Sequence, residues 1–167
     1  VTPEVVAHDL HPEYLSTKFA HDLDLEAIAV QHHHAHIAAC LTEHRRTDRV
    51  LGLAFDGLGY GPDATLWGGE FLVADLCDFT RVGHLAPITM PGGFKAIREP
   101  WRMAAAWAWR AGVDDQCDDP RHDAVVDLAA RGVGPTTTSI GRLFDAAAAP
   151  LGLRDVRAYR AQAAIQP

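Results

Sequence analysis

The stretch RVLGLAFDGLGYG, residues 49–61, constrains the fold more than any other part of the chain. Residues 50–55 are a continuous apolar run of strand length, read as a buried strand, and Asp56-Gly57 opens a glycine-rich turn directly after it. Two further strand-like runs follow, GGEFLVADL and FTRVGHLAPI, separated by about four residues. So short a link predicts an antiparallel meander of three strands. The turn is neither G-x-x-x-x-G-K-[ST] nor a G-x-G-x-x-G that opens a helix, because a strand follows it. Two readings stay open. It is a plain hairpin loop, or it is a nest in which Gly57, Gly59 and Gly61 let backbone approach a phosphate while Asp56 holds a metal.

The flanks alternate between helical and strand patterns. VVAHDLHP is a short apolar run closed by a turn at His11-Pro12, and residues 12–23 predict a helix with Pro at its first position. EAIAVQ reads as a short strand, and HAHIAACLTEHRR as a helix with basic residues in its last turn. Beyond Pro91-Gly92-Gly93 a strong helix is predicted over residues 96–111, with Pro100 near its start. DAVVDLAARG and TTTSIGRLFDAAAAPLGL predict two more, the second capped by Thr138 or Ser139 and ended by Pro150. The expected class is α/β.

Charge narrows the function. With 22 acidic and 15 basic residues the formal net charge is -7, which argues against a general nucleic-acid binder. No apolar stretch reaches the roughly 18 residues of a membrane span, and the N-terminus has no signal-type core. The expectation is a cytoplasmic protein with no nucleic-acid or membrane partner. Cys40, Cys77 and Cys117 are odd in number and far apart, which predicts buried or incidental free thiols.

The segment VQHHHAHIAAC carries four histidines within five residues. If the helix begins near His33 or His34, residues four apart share a face. His32 and His36 stand in that relation, as do His36, Cys40 and His44. Two imidazoles one turn apart suit Fe or Zn, with a carboxylate from another element completing the set. The segment is not H-E-x-x-H, so a zinc-protease reading lacks its general base. Spacing alone leaves the alternative open that these histidines are solvated or make capping contacts.

Five stretches in order resemble one family: HDLHPEYLST, QHHHAHIAACLTEH, AFDGLGYGPDATLWGGEFLVADL, GHLAPITMPGGFKAIREPWRMA and TSIGRLFDAAAAPLGL. They are similar to the C-terminal part of the hydrogenase maturation carbamoyltransferases, the HypF family, over nearly the whole chain. The resemblance implies an actin-like ATPase (ribonuclease H-like) fold. Residues 1–46 would be the tail of the first half, with the H-x-x-x-H helix, and residues 50–167 most of the second. It implies transfer of a carbamoyl group from carbamoyl-adenylate, made from ATP, to the C-terminal cysteine of a HypE-type partner.

Carried over residue by residue, the resemblance makes His32, His36 and Asp56 metal ligands for Fe or Zn. It places Asp56, Gly57, Gly59, Gly61, Gly68 and Gly69 on the nucleotide side, with Glu70 at the second strand's start. Lys95, Arg98 and Arg102 become cationic contacts for carbamoyl-adenylate, Lys95 and Arg98 as catalytic candidates; a structural ion pair with Glu99 is the other reading of the arginines. Trp101 and Trp107 read as core or interface residues. The sequence departs from the family pattern at Leu58 (usually Thr), Ala64 (usually Gly), Arg160 (Glu) and Ala161 (Gly). The acylphosphatase-like, zinc-finger and carbamoyl-adenylate-forming regions have no counterpart here. The expectation is an incomplete actin-like fold from a longer protein or a truncated reading frame. The alternative function is a non-catalytic metal-binding or interaction fragment.

Overall fold

The computed structural model describes residues 2–115 and 117–151. Strands β1 (Val5–Asp9) and β2 (Glu26–Val30) pair in parallel through the crossover helix α1 (Leu15–His21). The predicted helix over residues 12–23 is shorter than expected. Tyr14 is an extended N-cap, with ψ 136°, so Pro12 falls in the preceding turn and the helix starts at Leu15. After β2 comes α2 (His32–Glu43), which begins one or two residues before the predicted start at His33 or His34 and ends before the basic residues assigned to its last turn.

The second sheet is mixed. Strands β3 (Val50–Tyr60), β4 (Leu66–Ala74) and β5 (Phe79–His84) form the predicted antiparallel meander. Two short strands, β6 (Ile88–Thr89) and β7 (Thr136–Thr137), extend it, with β7 parallel to β4 at Leu66. The sequence reading merged β6 with β5; Pro87, which cannot donate to a ladder, lies between them. Two other expectations are corrected. The glycine-rich segment is not a turn, because β3 continues through it to Tyr60 and the chain reverses at 61–65. Nor is β3 buried on both faces. Ala54 lies under α2, whereas Leu51 and Leu53 on the opposite face are 59% and 56% exposed.

The single helix expected over 96–111 is two: α3 (Phe94–Arg98) and α4 (Trp101–Ala111). Pro100 disfavours helical backbone at the residue before it, and Glu99 leaves the helix with φ -115° and ψ 81°. Helices α5 (His122–Ala130) and α6 (Ile140–Ala148) pack on α4. Ser139 caps α6 by accepting from the Arg142 N–H. One core lies between α2 and the meander (Ile37, Leu41, Ala54, Trp67, Leu72, Ala74), and another between α4, α6 and β6. No helix among the described residues is long and apolar enough to cross a membrane.

Candidate metal centre

Helix α2 starts where it does because the Gln31 side chain accepts from the His33 and His34 N–H groups, at 2.8 and 2.9 Å. Each residue then turns by roughly 100°, so neighbouring histidines meet different surroundings. The His34 Nε2–H donates to the Asp75 carbonyl at 2.8 Å, tying α2 to the end of β4. His33 is fully buried beside Trp67, with ring centroids 6.2 Å apart. Its Nδ1 accepts from Gln31 at 3.2 Å. His32 and His36, one turn apart, share the remaining face.

A bulge delivers Asp56 to that face. The β3–β4 register pairs Phe55 with Gly69 and resumes at Gly59 with Trp67, so Asp56, Gly57 and Leu58 together oppose Gly68. Such bulges re-aim side chains and take backbone groups out of the ladder. The carbonyls of Asp56 and Gly57 accept from Ser139 Oγ instead, at 3.0 and 2.8 Å. That approach needs Gly68: a Cβ there would lie 2.5 Å from the Asp56 carbonyl oxygen.

The result is a compact donor set. Asp56 Oδ2 is 3.0 Å from His32 Nε2 and 4.0 Å from His36 Nε2. The two Nε2 atoms are 3.3 Å apart, and one ligand atom from each of the three residues lies within 4.8 Å of the others. On its far side, His32 Nδ1 is 2.5 Å from Asp9 Oδ2, at the end of β1. Asp9 went unnoticed in the sequence, because only the β1–β2 pairing brings it alongside a residue 23 positions away.

The electrostatics follow from these contacts. Hydrogen bonding to Asp56, then to Asp9, raises His32 to about 9 against the opposing effect of burial. The same His32 contact, with the Gly57 N–H, holds the Asp56 carboxyl far below the usual range. Burial pushes His33 down to about 4, and the neighbouring His32 adds to this, so His33 is neutral at pH 7.

Two imidazole nitrogens and one carboxylate oxygen converging from two elements suit a divalent cation such as Fe or Zn. Two ring nitrogens facing each other at 3.3 Å, beside a carboxylate, are a donor set that a shared cation satisfies. The residues present therefore fit the metal that the sequence pattern called for. His36 is exposed, which leaves one side of the set open to solvent.

The other predicted residues fall in different places. Gly57 has no neighbour within 4 Å of where a Cβ would stand. At Gly59, Gly61, Gly68 and Gly69 that space is filled by His33, Trp67, Asp56 with Ser139, and Thr138 with Leu85 respectively. Glu70 is fully buried, accepting from the Gly68 and Gly69 N–H groups and from Thr138, and paired with Arg81 at 2.7 Å. Lys95 and Arg98 lie on α3, which packs on α4, and Arg98 sits 5.4 Å from the Phe94 ring centroid. No hydrogen bond or ion pair among the described residues joins either cation to His32, His36 or Asp56. Arg102 is buried and bonded to Glu99, the structural pairing the sequence also allowed. Trp101 and Trp107 pack in the helical cores.

Cys40 and His44 share a face with His36 and line with it a groove of about 390 Å³ between α2 and β3, but neither belongs to the donor set. Cys40 and Cys77 are exposed rather than buried; all three cysteines are free. Ala64 has φ 61°, a conformation suited to the glycine that the resemblance expects there. Arg160 and Ala161 lie outside the described residues.

The chain is similar to known proteins over nearly its whole length. The family described as "Carbamoyltransferase, Kae1-like Domain, second subdomain" matches residues 52–166, and "HypF Kae1-like domain" matches residues 1–43. The chain is 47% identical to Carbamoyltransferase HypF2 of Cupriavidus necator, over 99% of this chain and 22% of that protein. It is 46% identical to Carbamoyltransferase HypF of Rhizobium leguminosarum bv. viciae, over 99% and 23% respectively. A crystal structure of full-length HypF in the phosphate- and nucleotide-bound form superposes with a TM-score of 0.90 at 43% identity, covering 98% of this chain and 27% of that one. T. kodakarensis HypF gives a TM-score of 0.81 at 31% identity, covering 93% and 23%. The chain thus spans about a quarter of the length of each of these four proteins.

Proposed function

This chain belongs to the family of HypF Kae1-like carbamoyltransferase domains, and from that premise we propose that it supplies the metal-holding corner of a carbamoyl-transfer site. The fold is the α/β, actin-like one implied by the sequence resemblance. The observation that carries the proposal is the convergence of His32, His36 and Asp56. In this reading the donor is carbamoyl-adenylate and the acceptor is the C-terminal cysteine of a HypE-type partner. The thiolate forms a C–S bond to the carbamoyl carbon, the bond to the phosphate oxygen breaks, and AMP leaves with the electron pair. No nucleophile from this chain is needed.

The chain's own residues hold and orient. His32, His36 and Asp56 would bind Fe or Zn, which when bound supplies Lewis acidity toward a carbamoyl or phosphate oxygen. Ser139 holds the bulge that carries Asp56. Gly57, open where a side chain would stand, is the point at which a nucleotide can reach the backbone. Lys95 and Arg98 are the proposed cationic contacts to the leaving phosphate, Arg98 through its planar fork.

A second reading, a non-catalytic metal-binding or interaction fragment, is favoured by one observation: protein fills the space around Gly59, Gly61, Gly68 and Gly69. Metal content by mass spectrometry, with calorimetric titration of ATP, separates the two in the wild-type chain and in a His32→Ala/His36→Ala variant. The transfer reading expects metal that the variant lacks and ATP binding that depends on it. Metal without ATP binding would establish the second reading, and neither would end both.

A further inference from the structure

We propose that Asp9 is a positioning residue for the metal centre: it grips His32 at Nδ1 and so presents Nε2 to a cation shared with His36 and Asp56. This rests on the metal reading above and adds to it a residue from β1. His32 Nδ1 lies 2.5 Å from Asp9 Oδ2, while Nε2 faces Asp56 at 3.0 Å and His36 at 3.3 Å. A histidine whose Nδ1–H donates to a carboxylate keeps its Nε2 lone pair for a metal, and such partners fix both the tautomer and the ring orientation.

Asp9 is itself held from two further directions. Its Oδ1 accepts from the His11 N–H at 2.8 Å, and its carbonyl accepts from Thr17 Oγ at 3.0 Å. The side chain is only 17% exposed, so the carboxylate has little freedom to turn away. Among the described residues, His36 has no carboxylate on its other nitrogen. His32 is therefore the pre-oriented ligand of the pair, and His36, on the solvent side, the adaptable one.

The test is zinc affinity, measured by competition with a chromogenic chelator on the 167-residue chain. It is paired with nitrogen-15 NMR of the histidine rings in the zinc-loaded protein. Asp9→Ala should weaken zinc binding about 10- to 100-fold and abolish the hydrogen-bonded Nδ1 proton of His32. Asp9→Asn keeps the shape but loses the charge, and should give a smaller loss in the same direction with an unchanged circular dichroism spectrum. Thr17→Val removes the bond to the Asp9 carbonyl alone; it should lower thermal stability and leave zinc affinity intact. Wild-type affinity in both Asp9 variants would overturn the positioning role and leave the metal reading standing. Zinc loss in all three variants in proportion to lost stability would reduce Asp9 to a structural residue. A wild-type chain that binds no zinc, or whose zinc is indifferent to His36→Ala, would overturn the metal reading and the positioning role with it.

Discussion

Two single residues show how closely this site depends on the absence of side-chain atoms. Gly59 resumes the β3–β4 ladder after the bulge, and a Cβ there would stand 2.4 Å from His33 Cε1 and 2.9 Å from His32 Cβ. The glycine thus sets how near α2 can lie to β3, and so how near His32 comes to Asp56. Ala64 is the opposite case. It adopts φ 61° at the reversal between β3 and β4, where an L-residue with a Cβ is strained by roughly 1 kcal/mol. Ala64→Gly should therefore stabilise the chain by about that amount in chemical denaturation, less the extra entropy glycine brings to the unfolded chain. A destabilised variant would show that the strain is not there.

Among the elements, the α3–α4 break is the feature most altered from what periodicity suggests. Pro100 ends α3, and the freed Glu99 carboxylate turns onto the first helical turn of α4 to bond Arg102, with Arg121 3.4 Å away. The Arg102 contact holds Glu99 below its ordinary value of 4.5. A carboxylate whose value is lowered by folding adds stability that is complete above its unfolded value and disappears as pH falls through the folded one. Stability from this pair should be present at neutral pH and fade below about pH 4.5. Glu99→Gln should cost up to about 1 kcal/mol at pH 7 and lose less than the wild type on acidification. Urea midpoints at the two pH values measure this, and parallel profiles would refute it.

At the scale of the molecule, the donor set joins the two sheets. Asp9 ends β1 and His32 follows β2, in the small parallel sheet, whereas Asp56 belongs to the bulge of the mixed sheet. A cation held between them would tie the halves together, and binding to the native state alone stabilises by mass action. Zinc at about 100 times its dissociation constant should add about 2.7 kcal/mol, read as a higher melting temperature. His36→Ala should abolish that rise, and His44→Ala, one turn beyond Cys40 in the groove, should keep it. A rise that survives His36→Ala would place the cation elsewhere.

The local features that residue chemistry dictates were legible in the sequence: the meander from its short link, the α6 cap at Thr138 or Ser139, and the one-turn spacing of His32 and His36. Each depends on neighbours a few positions apart, and short-range sterics and hydrogen bonding settle them. Asp56 could be marked as a candidate carboxylate because the apolar run before it reads as a strand ending there, although β3 in fact continues through it. What the glycines do was decided only by the tertiary structure. Residues 57–59 read as a turn because glycine permits one, but pairing with β4 extends the strand through them and spends the extra length as a bulge. Asp9 carried no local signal, and Ser139 carried only that of a helix cap. Their roles come from contacts 23 and 83 positions along the chain, which exist only once the strands have paired and α6 has docked on β3.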